Sequence, residues 1–208
     1  MSEIAMFPLG SVLFPHMPLL LRVFEERYLV MLARMLESET TGFGVVLIER
    51  GQEVGGGEKR FGYGTVARIA QLGEQEGTVA VVAQGERRFE VVEWLEDDPH
   101  PRAVIRELPE LDWDDSLQPL RERAESTVRR TLALASEFAD LPWSSDVELS
   151  RDPATAAWQI AAIAPLGPLD QVALLGSTSM EQLLGSVIDC TTAAADAFSA
   201  PWGDDSPE

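Results

Sequence analysis

The sequence predicts an α+β protein: a rolled antiparallel sheet or small β-barrel with one helix, followed by an α-helical bundle. Three observations predict it. Between residues 4 and 109, short runs rich in β-branched residues alternate with glycine-containing turns. From Leu111 onward, apolar residues recur every three or four positions. The chain has 208 residues, 45% hydrophobic and 25% charged, which is ordinary composition for a protein that buries a core. The expected division is a β-rich unit over 1–110, a helical unit over 111–202 and a polar tail over 203–208.

In chain order, the first helix falls at residues 25–37. Tyr28, Leu29, Met31, Leu32, Met35 and Leu36 make a broad apolar stripe there, and Gly42 can stop the helix. The run Gly44-Val45-Val46-Leu47-Ile48-Glu49 reads as a buried strand. Gly55, Gly56 and Gly57 mark a loop. Residues 65–72, 78–84 and 88–95 are three further strands, punctuated by Gly73 to Gly77 and by Gly85-Glu86. Residues 103–108 close the set.

Beyond Pro109 the pattern changes. Asp112, Asp114 and Asp115 favour the positive end of a helix dipole. Leu117, Leu120, Ala124, Val128, Leu132, Ala135 and Phe138 then line one helical face. Asp152-Pro153 is a cap followed by proline at the first helical position, opening a helix with Trp158 and Ile160. Thr178-Ser179-Met180-Glu181-Gln182 holds two overlapping capping boxes ahead of a last helix through Phe198.

Charge and cysteine content exclude several function classes. The net charge is −19. Up to Glu110 there are 11 basic and 18 acidic residues, a net of −7; beyond it 5 against 17 give −12. Neither part offers the basic face that nucleic acid or an anionic membrane requires. The single cysteine, Cys190, excludes an internal disulfide and a cysteine zinc site, and His16 and His100 have no metal-ligand spacing. Glu3 and the prolines at 8, 15 and 18 do not suit a signal peptide, and no run reaches membrane-spanning length, so a cytoplasmic protein is expected.

Enzyme signatures are missing as well. Lys59, the one lysine, is followed by Arg60 and not by Ser or Thr, so no P-loop forms, and its loop position does not suit a Ser–Lys dyad. Gly55 to Gly57 lack the spacing of a dinucleotide site. No GxSxG elbow occurs. Cys190 lies mid-stripe in the last helix, and the acidic run 112–115 lacks the alternation of a calcium loop. No catalytic residue, metal or cofactor is expected.

A more specific signal lies in the first ninety residues. It begins with Phe7-Pro8-Leu9-Gly10-Ser11-Val12-Leu13-Phe14-Pro15-His16-Met17-Pro18-Leu19, continued by Leu20-Leu21-Arg22-Val23-Phe24-Glu25-Glu26-Arg27-Tyr28. Then come Phe43-Gly44-Val45-Val46-Leu47-Ile48, Gly64-Thr65-Val66-Ala67-Arg68-Ile69 and Gln84-Gly85-Glu86-Arg87-Arg88-Phe89. In this order the blocks resemble the N-terminal substrate-recognition domain of Lon proteases, and 168–175 with 180–183 extend the likeness into the helical part. The resemblance implies a PUA-like β-barrel with an attached helical bundle that engages unfolded polypeptide. The ATPase and Ser–Lys peptidase of full-length Lon have no counterpart in these residues.

The residues themselves allow two roles. Phe7, Leu13, Val23 and Phe24 suit the inside of a barrel. Phe14, His16 and Met17 occupy a turn between prolines that can present side chains to an extended peptide. Phe24 and Tyr28 at the helix start complete the candidate peptide-binding set. An unspecified free strand edge is a further route, by β-addition. The expected function is a non-catalytic binding module for unfolded or extended polypeptide, or for a proteolytic-system partner, acting as adaptor or weak holdase. RNA binding through a PUA-like fold is the alternative, with Arg87-Arg88 the one adjacent basic pair of the β-rich half outside the glycine loop. A carboxylate hydrolase and a homodimer formed by the helical half are weaker readings.

Overall fold

The computed structural model describes residues 1–38, 40–48, 60–75 and 78–199. Gly55 to Gly57, Lys59 and the tail from 203 lie outside the described residues. The β-rich part runs β1 (Ser2–Leu9), β2 (Pro18–Val23), α1 (Glu26–Glu37), β3 (Gly42–Ile48), β4 (Arg60–Gln75), β5 (Thr78–Trp94) and β6 (Arg102–Glu107). The helical part holds α2 (Gln118–Ala135), α3 (Pro153–Ile163), α4 (Pro168–Leu175) and α5 (Met180–Ser199).

The six strands form one mixed sheet in the order β2-β5-β4-β3-β1-β6, and β5 also pairs with β6. The ladders β1–β3–β4–β5–β6 therefore return to β1, and only β2 hangs outside this circuit. The pairing corrects the expected antiparallel sheet at one point: β1 and β3 are parallel, with Met6 opposite Gly44 and Leu9 opposite Leu47. The reason is topological. β2 and α1 intervene between them as a crossover, which returns the chain in its original direction.

Two expected breaks are absent. The segments 78–84 and 88–95 are one strand, and Gly85-Glu86 is an irregularity inside it where the register with β4 shifts between Thr65 and Ala67. A Cβ on Gly85 would lie 2.2 Å from the Phe14 carbonyl oxygen, so this glycine serves a close backbone approach and not a turn. Gly42 does not end α1 either. The helix stops at Ser38, whose N–H donates to the Arg34 and Leu36 carbonyls, and Gly42 begins β3.

The caps at Asp152 and Ser179 form where the sequence places them. Asp152 accepts a 2.8 Å bond from the Thr155 N–H with Pro153 at the first turn of α3. The Gln182 N–H donates to Ser179 Oγ at 3.1 Å, while its side-chain oxygen accepts from Thr178 N–H at 2.8 Å. Asp114 caps the 3-10 turn that leads into α2 by accepting from Ser116 N–H.

Buried side chains form two clusters. The smaller takes Met6, Val46, Val66, Phe89, Ala103 and Ile105, at least one from each strand of the closed circuit. The larger joins Val23, Tyr28, Phe43 and Val81 of the β-rich part to Trp158, Leu174 and Leu183 of the helices. The change of architecture after Pro109 is thus crossed by a continuous apolar core. Arg88 reinforces the crossing. Its side chain is buried and donates to the carbonyls of Leu175, Ser177 and Pro109 at 2.7, 2.8 and 2.7 Å.

Candidate functional site

The loop between β1 and β2 was expected to present Phe14, His16 and Met17, but packing takes two of them inward. Phe14 is 2% exposed and tilts against the Trp158 ring at 6.3 Å; Met17 is 8% exposed. The loop is pinned from beneath. Thr65 Oγ donates to the Leu13 carbonyl at 2.6 Å, and Gly85 exchanges backbone bonds with His16 (2.7 Å) and Met17 (2.9 Å). His16 alone points outward, with φ of 64°, a left-handed conformation that closes the turn.

Phe24 and Tyr28, both assigned to the peptide-binding set, differ in exposure. Phe24, expected among barrel-filling residues as well as in the peptide-binding set, is 70% exposed in the short connection from β2 to α1. Tyr28 is 4% exposed and stacks on Phe7 with ring centres 4.0 Å apart, under the Arg27 guanidinium. Of the five sequence-assigned residues, His16 and Phe24 reach solvent. The structure brings neither beside the other three as one open surface.

A cavity of about 400 Å³ opens where this loop meets the helical part, lined by Pro15, His16, Arg68, Glu86, Arg88 and Trp158 among others. Its arginines are already engaged with the protein itself. Arg68 pairs with Glu86, and Arg87 with Glu107 at 3.0 Å. Arg88 is held by three carbonyls and lies over Trp158, and its burial lowers its pKa from the usual arginine value. The basic pair Arg87-Arg88 therefore serves the fold. This cavity has the chemistry of a structural junction.

An open, largely apolar surface lies beside α1. There the helix and the β4–β5 hairpin bound a groove of about 450 Å³, lined by Leu29, Leu32, Ala33, Leu36, Leu72 and Val79, with Glu74 at its wall. Its origin is visible in α1. Tyr28, Met31, Leu32 and Met35 are buried against the sheet, while Leu36 remains 65% exposed. The apolar arc of this helix is wider than one buried face can absorb, and the surplus lines the groove. The breadth of the 28–36 stripe was the available sequence signal for it; Leu72 and Val79 gave none, because strand alternation cannot say which face a helix leaves uncovered.

Glu74 and Val79 are direct partners across the hairpin, as are Leu72 and Val81, so these four side chains share the face turned toward α1. Beside the hairpin, β2 pairs only with β5 among the described residues. Its outer edge begins at Pro18, and Leu20, opposite Val82, is 74% exposed. An apolar groove and an unpaired strand edge are the two features that accept an extended chain, one through side chains and one through backbone. Among the described residues no group of three or more His, Cys, Asp or Glu is placed to hold a metal ion. No described helix is long and apolar enough to cross a membrane.

Comparison with known proteins matches residues 3–192 to the family described as the ATP-dependent protease La (LON) substrate-binding domain. Among solved structures, the fold is similar to a Lon N-terminal domain protein from Xanthomonas campestris, with a TM-score of 0.64 at 21% identity. The match covers 91% of this chain and 98% of that one. It is also similar to the N-terminal domain of Mycobacterium avium complex Lon protease, with a TM-score of 0.62 at 17% identity, covering 92% and 98%. No curated protein matches the sequence.

Proposed function

The chain belongs to the LON substrate-binding domain family, and from that premise we propose that it captures unfolded or extended polypeptide, without catalysis, in the groove between α1 and the β4–β5 hairpin. The family is a substrate-recognition module and supplies no catalytic step. The observation that carries the assignment to this surface is the groove itself: about 450 Å³ lined by leucines and valine, with Leu36 left 65% exposed. Exposed apolar surface of this kind is maintained against its solvation cost where a partner covers it. The β2 edge lies in the same hairpin layer and offers backbone donors and acceptors to a chain seated nearby.

Binding without turnover suits an adaptor or weak holdase, and a place in the cytoplasm belongs to the same proposal. The closed pairing circuit and its apolar filling support the PUA-like barrel reading of the β-rich part. RNA binding gains no support from Arg87 and Arg88, since both have protein partners.

The test is fluorescence anisotropy of a labelled, permanently unfolded polypeptide titrated with the protein, beside a folded protein and single-stranded RNA. Saturable binding of the unfolded chain alone, at or below about 50 μM, supports the proposal. No binding in that range removes general polypeptide capture, and binding of RNA alone replaces it with the alternative.

A further inference from the structure

The groove is apolar at its floor and acidic at its rim. On α1, Glu26 precedes Leu29 by three residues and Glu37 follows Ala33 by four, so helical spacing sets both at the border of the groove-lining stripe, one toward each end. Glu74 stands on the opposite wall. All three are exposed, and among the described residues none has a hydrogen-bond or ion-pair partner. The nearby arginines of α1 are spoken for: Arg27 pairs with Glu25 at 3.0 Å, and Arg34 reaches Asp98. Among the described residues, these three carboxylates at and beside the rim have no ion-pair partner, on a protein whose net charge is already −19.

We propose that this groove selects extended segments in which an apolar stretch is flanked by Arg or Lys, and disfavours the same stretch flanked by Asp or Glu. The inference rests on the polypeptide-binding reading and adds its substrate class. The apolar floor supplies affinity through area removed from water. The rim charges supply discrimination: basic flanks meet carboxylates that have no partner among the described residues, while acidic flanks meet like charge. Because the rim is solvent-exposed, its influence is screened by salt.

The test uses three labelled unfolded peptides with one apolar core, flanked on both sides by Arg, by Ser or by Glu. Anisotropy is read against the full chain, the variant E26Q/E37Q/E74Q, and a control, E137Q/D140Q/D196Q, that removes the same charge from the helical part. The expected order is Arg over Ser over Glu, with about tenfold between the extremes at low salt. That span should shrink several-fold at 0.5 M salt, and in the rim variant but not in the control. Equal binding of the three peptides overturns the selection and leaves polypeptide capture standing. Equal shrinkage in the control assigns the preference to the net charge of the protein and also overturns it. Failure of all three peptides to bind overturns the underlying reading. Sedimentation velocity that shows a dimer dissociated by L36E gives the groove to a second copy of the chain and overturns the proposal.

Discussion

Arg88 on β5 holds its guanidinium 4.9 Å from the centre of the Trp158 ring on α3. With its three hydrogen bonds to the carbonyls of Leu175, Ser177 and Pro109, it ties the sheet, the connection and the helices at one point. R88A leaves those carbonyls without a donor in a buried place, and is expected to cost about 3 kcal/mol or more. R88K keeps the charge but loses the planar fork that reaches three acceptors, and is expected to recover less than half of the loss. Urea unfolding monitored by tryptophan fluorescence measures both; equal stability of R88A and the parent would contradict the role.

Gly85 is required by the Phe14 carbonyl, which occupies the space a Cβ would take. Backbone cannot move aside as a side-chain end can. G85A is expected to destabilise by roughly 2 kcal/mol, lowering Tm by about 4–8 °C for a chain of this size. Differential scanning calorimetry gives the shift directly.

Phe14 and His16, two residues apart, should behave oppositely. F14A removes a buried ring against Trp158 and is expected to cost about 3–5 kcal/mol. H16G places the residue best suited to a left-handed conformation where φ is 64°, and is expected to be neutral or slightly stabilising. Chemical denaturation of the pair separates a packing loop from a presenting one.

Asp152 caps α3, and hydrogen bonds from the Thr155 side chain and backbone hold its carboxyl below the usual carboxylate range. A depressed folded-state pKa means the cap stabilises above the unfolded pKa of about 4, and that this contribution is lost as pH falls through the folded value. D152A is therefore expected to be about 1 kcal/mol less stable at pH 7. The gap between variant and parent should close on acidification below about pH 4, as read from urea midpoints at a series of pH values.

Leu36 is exposed in the folded protein, so L36E is expected to change stability by less than about 0.5 kcal/mol. It places a carboxylate in the groove and is expected to weaken capture of the unfolded polypeptide at least about tenfold. Anisotropy with unchanged far-UV circular dichroism is the check; undiminished binding would move the site elsewhere, first to the β2 edge.

Much of the architecture was legible along the chain because local rules govern it. The caps at Asp152 and Ser179 form where the residues say, and the apolar periods of α1, α2 and α5 mark real helices. Gly85 misled because a glycine that permits close approach looks, in one dimension, like a glycine that turns. The loop at Phe14 misled for a related reason. Proline-flanked apolar residues suggest presentation, but Thr65 and Gly85, about 50 and 70 residues away, draw the loop onto the core.

The family, the approximate places of the helices and the caps at Asp152 and Ser179 could be read along the chain, because periodicity, capping and block order are properties of neighbours along the backbone. Tertiary structure decided which strand joined which, that β1 and β3 run parallel, that Arg88 is structural, and that the uncovered face of α1 faces the β4–β5 hairpin. Those outcomes depend on which apolar surfaces find one another and which are left over. Area is distributed among partners in space, and no local pattern records the remainder.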